Sequence, residues 1–444
     1  MRTTPSRTPL PAALSARVAA APSLPRLAAA SLAGTAIEFY DFLVYGIAAA
    51  LVLGTQFFPT ISPLAGTLAA LATFGVGFVA RPLGSALFGH LGDRRGRRPV
   101  LMISLLLTGL ATVAVGCLPT YDSIGIAAPV LLVVLRFVQG IGVGGEWGGA
   151  VLLTAEHAPA GRRGLWSSFA QIGPPLGSVL ANSVMLALSA ALSDAQFTLW
   201  GWRLPFLFAG VLTAAGLALR TSLPESPDFL GQREHARMPL VEVARAHWRL
   251  LLLTAGALAT GAAVSYTMST WALSYAVDRL GVDRTVMLGC TLSIAVITGA
   301  LTPVAAVLGD RYGRRPLCLL GCAGCAVWMF PMIGLLSTGR PPLIFLGFLV
   351  AMLVCVTMLA VVAAYLPELY VSRVRCTGAS VGYNLGAVLG GALTPMVATT
   401  LAHGPGTPWG VAAYLTAIAL LSLGCFALLP DTRPAAVQPV AVTG

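Results

Sequence analysis

The chain alternates long apolar runs with short polar segments. Apolar segments fall at approximately 27–53, 63–88, 100–118, 127–156, 165–193, 204–222, 249–276, 286–308, 317–336, 342–366, 377–402 and 409–429. Each is long enough to carry a helix across ~30 Å of hydrocarbon, which takes ~20 residues. The pattern therefore predicts an all-α membrane protein with twelve transmembrane helices. The runs are continuous rather than alternating, which disfavours a transmembrane β-barrel.

Residues 1–26 carry Arg2, Arg7, Arg17 and Arg26 among Pro and Ser, with no sustained apolar core. They read as a cytoplasmic N-terminal tail ahead of an uncleaved first span rather than as a signal peptide. The longest internal polar stretch divides the spans six and six. The expected organisation is an N-terminal six-helix bundle at 27–222, a cytoplasmic central loop at 223–248, a C-terminal six-helix bundle at 249–429 and a cytoplasmic tail at 430–444.

Composition agrees with this pattern. Of 444 residues 57% are apolar and 10% charged, against roughly 25% charged in soluble chains, and the mean hydropathy is +0.84. A water-soluble protein is close to excluded. The net charge of +11 does not point to nucleic acid, because the arginines are scattered over short segments without interleaved aromatics. It reports topology. With the N-terminus inside, the cytoplasmic side collects Arg94, Arg95, Arg97, Arg98, Arg162, Arg163, Arg220 and the arginines of later inner loops, and only Arg203, Arg279, Arg284 and Arg340 fall outside. That asymmetry expects both termini in the cytoplasm.

The halves echo one another. Gly92-Asp93-Arg94-Arg95-Gly96-Arg97-Arg98-Pro99 follows the second span, and Gly309-Asp310-Arg311-Tyr312-Gly313-Arg314-Arg315-Pro316 follows the eighth. Glu156 with Arg163 is repeated as Glu368 with Arg375. Motif pairs at matching topological positions indicate a duplicated six-helix unit.

Gly89-His90-Leu91-Gly92-Asp93-Arg94-Arg95-Gly96-Arg97-Arg98 resembles the loop signature of the major facilitator superfamily, and Arg136-Phe137-Val138-Gln139-Gly140 resembles its fourth-span motif. Within it, Glu38-Phe39-Tyr40-Asp41-Phe42, Arg81-Pro82-Leu83-Gly84, Gly145-Glu146-Trp147-Gly148-Gly149, Pro224-Glu225-Ser226-Pro227 and Arg375-Cys376-Thr377-Gly378 resemble the metabolite:proton symporter family. That family includes permeases for shikimate, 2-oxoglutarate, citrate, proline and betaine. The resemblance covers about residues 27–430 and implies two pseudo-symmetric bundles and substrate:proton symport. Glu146 to Ala150 looks more like the shikimate-type branch.

The chemistry can be reached from the residues themselves. Glu38, Asp41, Arg81, Arg136 and Glu146 lie deep in predicted spans, where an unpaired charge costs at least ~2.5 kcal/mol. They mark a transport path or a set of ion pairs that hold helices together. Asp41 lies about 21 Å up its helix and Arg136 about 13 Å down an opposed one, hence at similar depth. Glu38 is one turn from Asp41. Burial and mutual repulsion favour a proton on one carboxylate while Arg136 favours ionisation, so one of the pair is expected to load and release a proton near neutral pH. Glu38, Asp41, Arg136 and Glu146 are the proton-coupling candidates. Arg81, ~18 Å above the inner end of span two, is the better anion anchor, and Arg136 is expected to spend its charge on Asp41.

Spans seven to twelve hold no Asp, Glu or Arg away from their ends. They offer instead Tyr266, Trp271, Tyr383 and Asn384, which with Tyr40, Arg81, Gln139 and Gln171 form the expected substrate-binding set. Taken singly, each of the second-half residues fits packing or an interface belt better than a ligand contact, and the group carries more weight than any member. The loop repeats supply an expected conformational gate: Gly89, Asp93, Arg94, Gly96, Arg97, Asp310, Arg311, Gly313, Arg314, Glu156 and Glu368. A carboxylate such as Asp93 can meet a helix N-terminus in one state and leave it in another. A topogenic arginine cluster is the alternative, and it leaves Asp93 and Gly96 unexplained.

Other signals carry no chemistry. Gly140, Gly142 and Gly145 satisfy GxGxxG inside an apolar helix with no preceding strand, so helix packing is expected there rather than nucleotide binding. The eight cysteines imply no disulfide framework, and neither they nor the histidines have metal-ligand spacing. The expectation is a monomeric, multi-pass secondary transporter of a bacterial plasma (inner) membrane, driven by a proton gradient with no cofactor and no nucleic-acid partner. It imports a small organic acid or zwitterion, possible shikimate-like compounds included, by alternating access. Proton-coupled export of a drug or pathway product is the alternative. A membrane enzyme or ligand sensor has no nucleophile–base pair or soluble domain to support it.

Overall fold

The computed structural model of the chain describes residues 24–95, 97–159, 161–221, 239–371, 374–403 and 408–432. Among the described residues, twelve helices are long and apolar enough to cross a membrane: α1 (Leu24–Phe57), α2 (Pro63–Leu91), α3 (Arg98–Cys117), α4 (Ala127–Leu152), α5 (Arg163–Ala191), α6 (Gly201–Thr221), α7 (Trp248–Leu280), α8 (Arg284–Tyr312), α9 (Arg314–Ser337), α10 (Pro341–Leu369), α11 (Arg375–Ala402) and α12 (Trp409–Leu428). Each coincides with one of the twelve apolar segments. No strand occurs among the described residues. Of the tails and the central polar stretch, 1–23, 222–238 and 433–444 lie outside the described residues. The end of that stretch is helical over Pro239–Ala246, because Val243 buries its side chain against the bundle.

The helices are irregular where the sequence supplies cause. Each half begins with a helix containing one wide turn, Ala49–Leu53 in α1 and Thr267–Trp271 in α7, and Val388–Ala392 in α11 is a third. Such turns open the hydrogen-bond ladder and re-aim side chains. In α4 the glycine-rich stretch breaks the ladder at Gly145, and the helix resumes at Glu146. The same glycines let α4 lie directly on α2: a Cβ at Gly140 would run into the Gly77 carbonyl, and one at Gly144 would meet the Arg81 carbonyl and the Ser85 amide. The GxGxxG spacing thus serves helix contact.

Helices α1–α6 and α7–α12 face each other through α5 against α8 and α10, and α2 and α4 against α11. At the end where α2 and α8 finish, the Asp310 carboxylate on α8 accepts hydrogen bonds from the amides of Gly164 (3.0 Å) and Leu165 (3.1 Å) at the N-terminus of α5. Arg314 pairs with Asp310 at 3.2 Å and with Glu368. Gly313, between Asp310 and Arg314, has φ 98°, a left-handed value that a side chain would strain. Arg311 lies over the Tyr312 ring at 5.4 Å. At the opposite end Thr291 on α8 donates to Asn182 on α5 at 2.8 Å, and Arg284 meets Asp194 at 2.8 Å. In the first-half repeat, Gly89 faces Thr377 on α11, where a Cβ would come within 3.3 Å of its hydroxyl. The side chains of Asp93, Arg94, Arg97 and Glu156, and Gly96 altogether, lie outside the described residues.

Two amide-to-carboxylate bonds at a helix N-terminus contribute about 1–2 kcal/mol, roughly a 5–30-fold population shift. Asp310→Ala is therefore expected to open this end. A cysteine at Ser269 in an otherwise cysteine-free background should react several-fold faster with an impermeant maleimide added from that side. An unchanged rate would remove Asp310 from gating.

Candidate functional site

Among the described residues, six acidic or basic side chains sit inside the first half, each at most 3% exposed: Glu38 and Asp41 on α1, Arg81 on α2, Arg136 on α4, Glu146 just past its break, and Arg220 on α6. Three acids thus face three guanidinium groups. Arg220 is the correction to the sequence analysis, which counted it with the cytoplasmic-side arginines and left it out of the intramembrane set; it lies one residue from the end of α6 and is buried. It pairs with Glu146 and donates to the Leu101 carbonyl of α3 at 2.7 Å. Gly34 of α1 is the space it occupies, since a Cβ there would overlap the guanidinium. Glu146 is therefore spoken for by an ion pair that ties α1, α3, α4 and α6 together. The signal was available: three intramembrane carboxylates against two arginines leave a charge that needs a third cation.

Asp41 is held differently. Its Oδ2 accepts from the Thr112 hydroxyl at 3.1 Å, Gln139 Nε2 donates to Thr112 Oγ1 at 2.7 Å, and Arg136 donates to Gln139 Oε1. Asp41 and Arg136 form no direct ion pair, contrary to the expectation that Arg136 spends its charge on Asp41. Thr112 also reaches the Thr108 carbonyl at 2.9 Å. This gives Asp41 a neighbour suited to both protonation states. When ionised it accepts the Thr112 proton; when protonated it can donate to Thr112 Oγ1, which then turns its own proton to Thr108. Glu38, one turn earlier, feels Glu146, Arg81, Arg220 and Asp41. Glu38 Oε2 and Asp41 Oδ1 have no hydrogen-bond partner.

The two remaining arginines rest on rings. Arg136 lies 3.9 Å from the Tyr45 centroid and 4.6 Å from that of Phe42. Arg81 lies 3.8 Å from Phe42 and 4.5 Å from Phe78. Phe42 is thus shared between both guanidinium groups, and its negative faces offset part of their repulsion. Arg81 Nε and Nη2, and Arg136 Nε and Nη2, have no hydrogen-bond partner. Among the described residues no carboxylate lies within 4.0 Å of either.

Arg81 lines a cavity between the halves, bounded by α1, α2 and α5 on one side and by α7, α8, α10 and α11 on the other. Arg81 is the one charged residue among the described lining; the rest is apolar or hydroxylated, with the amide of Gln171. Of the expected substrate-binding set, Arg81, Gln171, Tyr266 and Tyr383 line this cavity. The other four do not. Tyr40 donates to the Pro205 carbonyl at 2.7 Å, Gln139 belongs to the Asp41 network, and Trp271 stacks on Tyr275 at 5.1 Å. Asn384 donates to Ser85 Oγ at 2.7 Å, fastening α11 to α2.

The sequence analysis singled out neither Trp147 nor the cavity hydroxyls on α8. The Trp147 ring stacks on Tyr383 with centroids 4.0 Å apart, and its Nε1 donates to Gln171 at 3.3 Å. Gln171 Nε2 donates in turn to the Leu359 carbonyl at 2.7 Å. A tryptophan on α4 thereby orders two residues of the cavity wall, Gln171 in its own half and Tyr383 across the interface of the halves. No group of three or more His, Cys, Asp or Glu among the described residues is placed to hold a metal ion.

Comparison with known proteins places this geometry. The family model described as Major Facilitator Superfamily matches residues 31–383 and 295–444. The chain is 41% identical over 412 residues to the inner membrane metabolite transport protein YhjE of Escherichia coli strain K12, covering 91% of this chain and 93% of that protein. It is 38% identical over 419 residues to the shikimate transporter of the same strain, covering 92% and 95%. The solved structure of the proton:xylose symporter XylE bound to 6-bromo-6-deoxy-D-glucose matches with a TM-score of 0.74 at 19% identity, over 92% of this chain and 96% of that one. At that identity the likeness is one of fold.

Removing one partner of a buried ion pair strands the other and costs about 3–5 kcal/mol, whereas replacing both by apolar groups is often neutral. Arg220→Met and Glu146→Met should each lower the thermal unfolding midpoint in detergent, and the double variant should recover most of the loss. Additive losses would mean that the two groups are not coupled.

Proposed function

The chain belongs to the major facilitator superfamily and, within it, to the metabolite:proton symporter family, and on that premise we propose that it imports a small carboxylate-bearing metabolite together with protons, by alternating access. The observation that carries this reading is Arg81, a buried guanidinium that lines an otherwise uncharged cavity between the halves and has Nε and Nη2 without a hydrogen-bond partner. Such a group attracts a carboxylate, and its planar donor fork can hold both oxygens. The arginine-rich loop end is the cytoplasmic one in this reading. The contacts of Asp310 at that end, and of Asn182 and Arg284 at the other, are those that open in turn.

Proton coupling falls to Asp41 with Glu38. Neither carboxylate is neutralised by a direct ion pair, and Asp41 has in Thr112 a partner for both of its states. Substrate charge is communicated through Phe42: an anion on Arg81 weakens that cation's claim on the shared ring and draws Arg136 toward it, away from Gln139. The Asp41 network then relaxes. Glu146 serves the framework through Arg220. The proton gradient is the whole energy source, worth ~2.3 kcal/mol per net charge per 100 mV in its electrical part.

In proteoliposomes an inward proton gradient should drive uptake of a carboxylate substrate above its external concentration. Uptake driven by the opposite gradient would favour the export reading. Asp41→Asn should abolish uphill accumulation while substrate exchange at equal pH persists; undiminished accumulation would remove Asp41 from coupling.

The two arginines should separate by assay. Arg81→Gln is expected to weaken binding of the anionic substrate at fixed pH at least tenfold, about 1.4 kcal/mol, and much more than Arg136→Gln. Arg136→Gln should instead alter the pH dependence of transport. Equal substrate affinity in Arg81→Gln and the unsubstituted protein would end the anchor role.

A further inference from the structure

The surface that the spans turn to lipid continues past their ends. On α2 the side chains of Val79, Leu83 and Leu87, successive turns of one face, are each more than half exposed and lead to the end where α2 and α8 finish. There the short helix Pro239–Ala246 packs against α2, α7 and α11, with Val243 buried, and so touches both halves. Its other face is open. Leu240 and Val241 are each 38% exposed, and Ala244 and Arg245, which follow them by one turn on the same face, are exposed as well. Beyond it α7 starts at Trp248, 49% exposed, with the guanidinium of the exposed Arg249 5.3 Å from the centroid of its ring.

A half-exposed tryptophan at the first residue of a span marks the height of the headgroup layer, so the helix that leads into it lies in that layer. Aliphatic side chains and arginines on one exposed face are what such a layer accommodates. The acid of this helix, Glu242, is half-buried, and among the described residues neither Arg245 nor Arg249 forms an ion pair. Their charge is free for a partner. Arginines that only recorded topology would sit as well in a hydrated loop, without Leu240, Val241 and Trp248 beside them. We propose that Arg245 and Arg249, with Leu240, Val241 and Trp248, form a docking surface for an anionic phospholipid, whose phosphate the two guanidinium groups hold while its acyl chains continue onto the lipid-facing flank of the spans. Guanidinium donors match phosphate oxygens in geometry as well as charge. The surface lies apart from the cavity, and nothing in it depends on the substrate reading given above.

The test places a bimane on Ala244→Cys, at the exposed centre of this face, in the full chain without its other cysteines, reconstituted in nanodiscs. Brominated acyl chains quench the bimane on contact. Equimolar mixtures of phosphatidylglycerol and phosphatidylcholine, with one or the other brominated, then report which lipid occupies the surface. Each arginine near an anionic headgroup adds roughly fivefold, so phosphatidylglycerol should be preferred at least about fivefold at moderate salt. In Arg245→Gln/Arg249→Gln the preference should fall below about twofold, with the thermal unfolding midpoint unchanged; Arg245→Lys/Arg249→Lys should keep most of it, and about 1 M salt should remove it. Equal occupancy by the two lipids, or a preference that survives the glutamine variant, overturns the proposal. So does an absence of quenching by either lipid, which would set the face clear of the bilayer. Loss of the preference when inorganic phosphate replaces chloride at equal ionic strength would identify a soluble anion as the ligand and overturn it too.

Discussion

Ionised groups in a low-dielectric interior must be matched, and the arrangement of this protein follows from how that demand is met. Among the described residues, six buried acidic or basic side chains are gathered into one half of the bundle, three of each sign. Only Glu146 and Arg220 meet this demand by direct contact. Asp41, Arg81 and Arg136 are spread over a hydroxyl, an amide and aromatic rings, and Glu38 Oε2 has no hydrogen-bond partner, which leaves these groups short of full compensation. A fully paired set would be stable and inert. An incompletely paired one responds to whatever charge arrives next, a proton at the carboxylates or an anion at the guanidinium.

The two halves divide the work accordingly. Helices α1, α2, α4 and α6 carry these six charges, while α7, α8, α10 and α11 supply aromatic, aliphatic and hydroxyl groups to the other wall of the cavity. The wide turns in α1 and α7 fall in corresponding helices of the repeat. The repeat therefore preserves backbone irregularity even where it does not preserve side-chain chemistry. The halves meet through few polar contacts that cross between them, such as Asn384 to Ser85, Gln171 to the Leu359 carbonyl and Asp310 to the α5 N-terminus.

Close backbone approach makes the rest possible. Gly140 and Gly144 bring α4 against α2, which lets Arg136 reach the ring of Phe42 on which Arg81 also rests. With side chains at those positions the helices would separate and the shared ring would no longer bridge the two cations. The glycines that imitate a nucleotide-binding signature in the sequence thus set the geometry of the charged centre.

The sequence by itself determined the twelve spans, the duplication, the family and the identity of the charges, because each of these is written in local hydropathy, motif spacing or composition. It located Arg81, Tyr266 and Tyr383 in the right helices, and it identified Glu38 and Asp41 as neighbours because one helical turn is fixed geometry. Pairings across helices were beyond it. That Glu146 meets Arg220, that Thr112 and Gln139 stand between Asp41 and Arg136, and that Tyr40 and Trp271 point away from the cavity depend on the rotation of each helix about its axis. That rotation is set by packing against neighbours remote in sequence, so only the tertiary structure decided it.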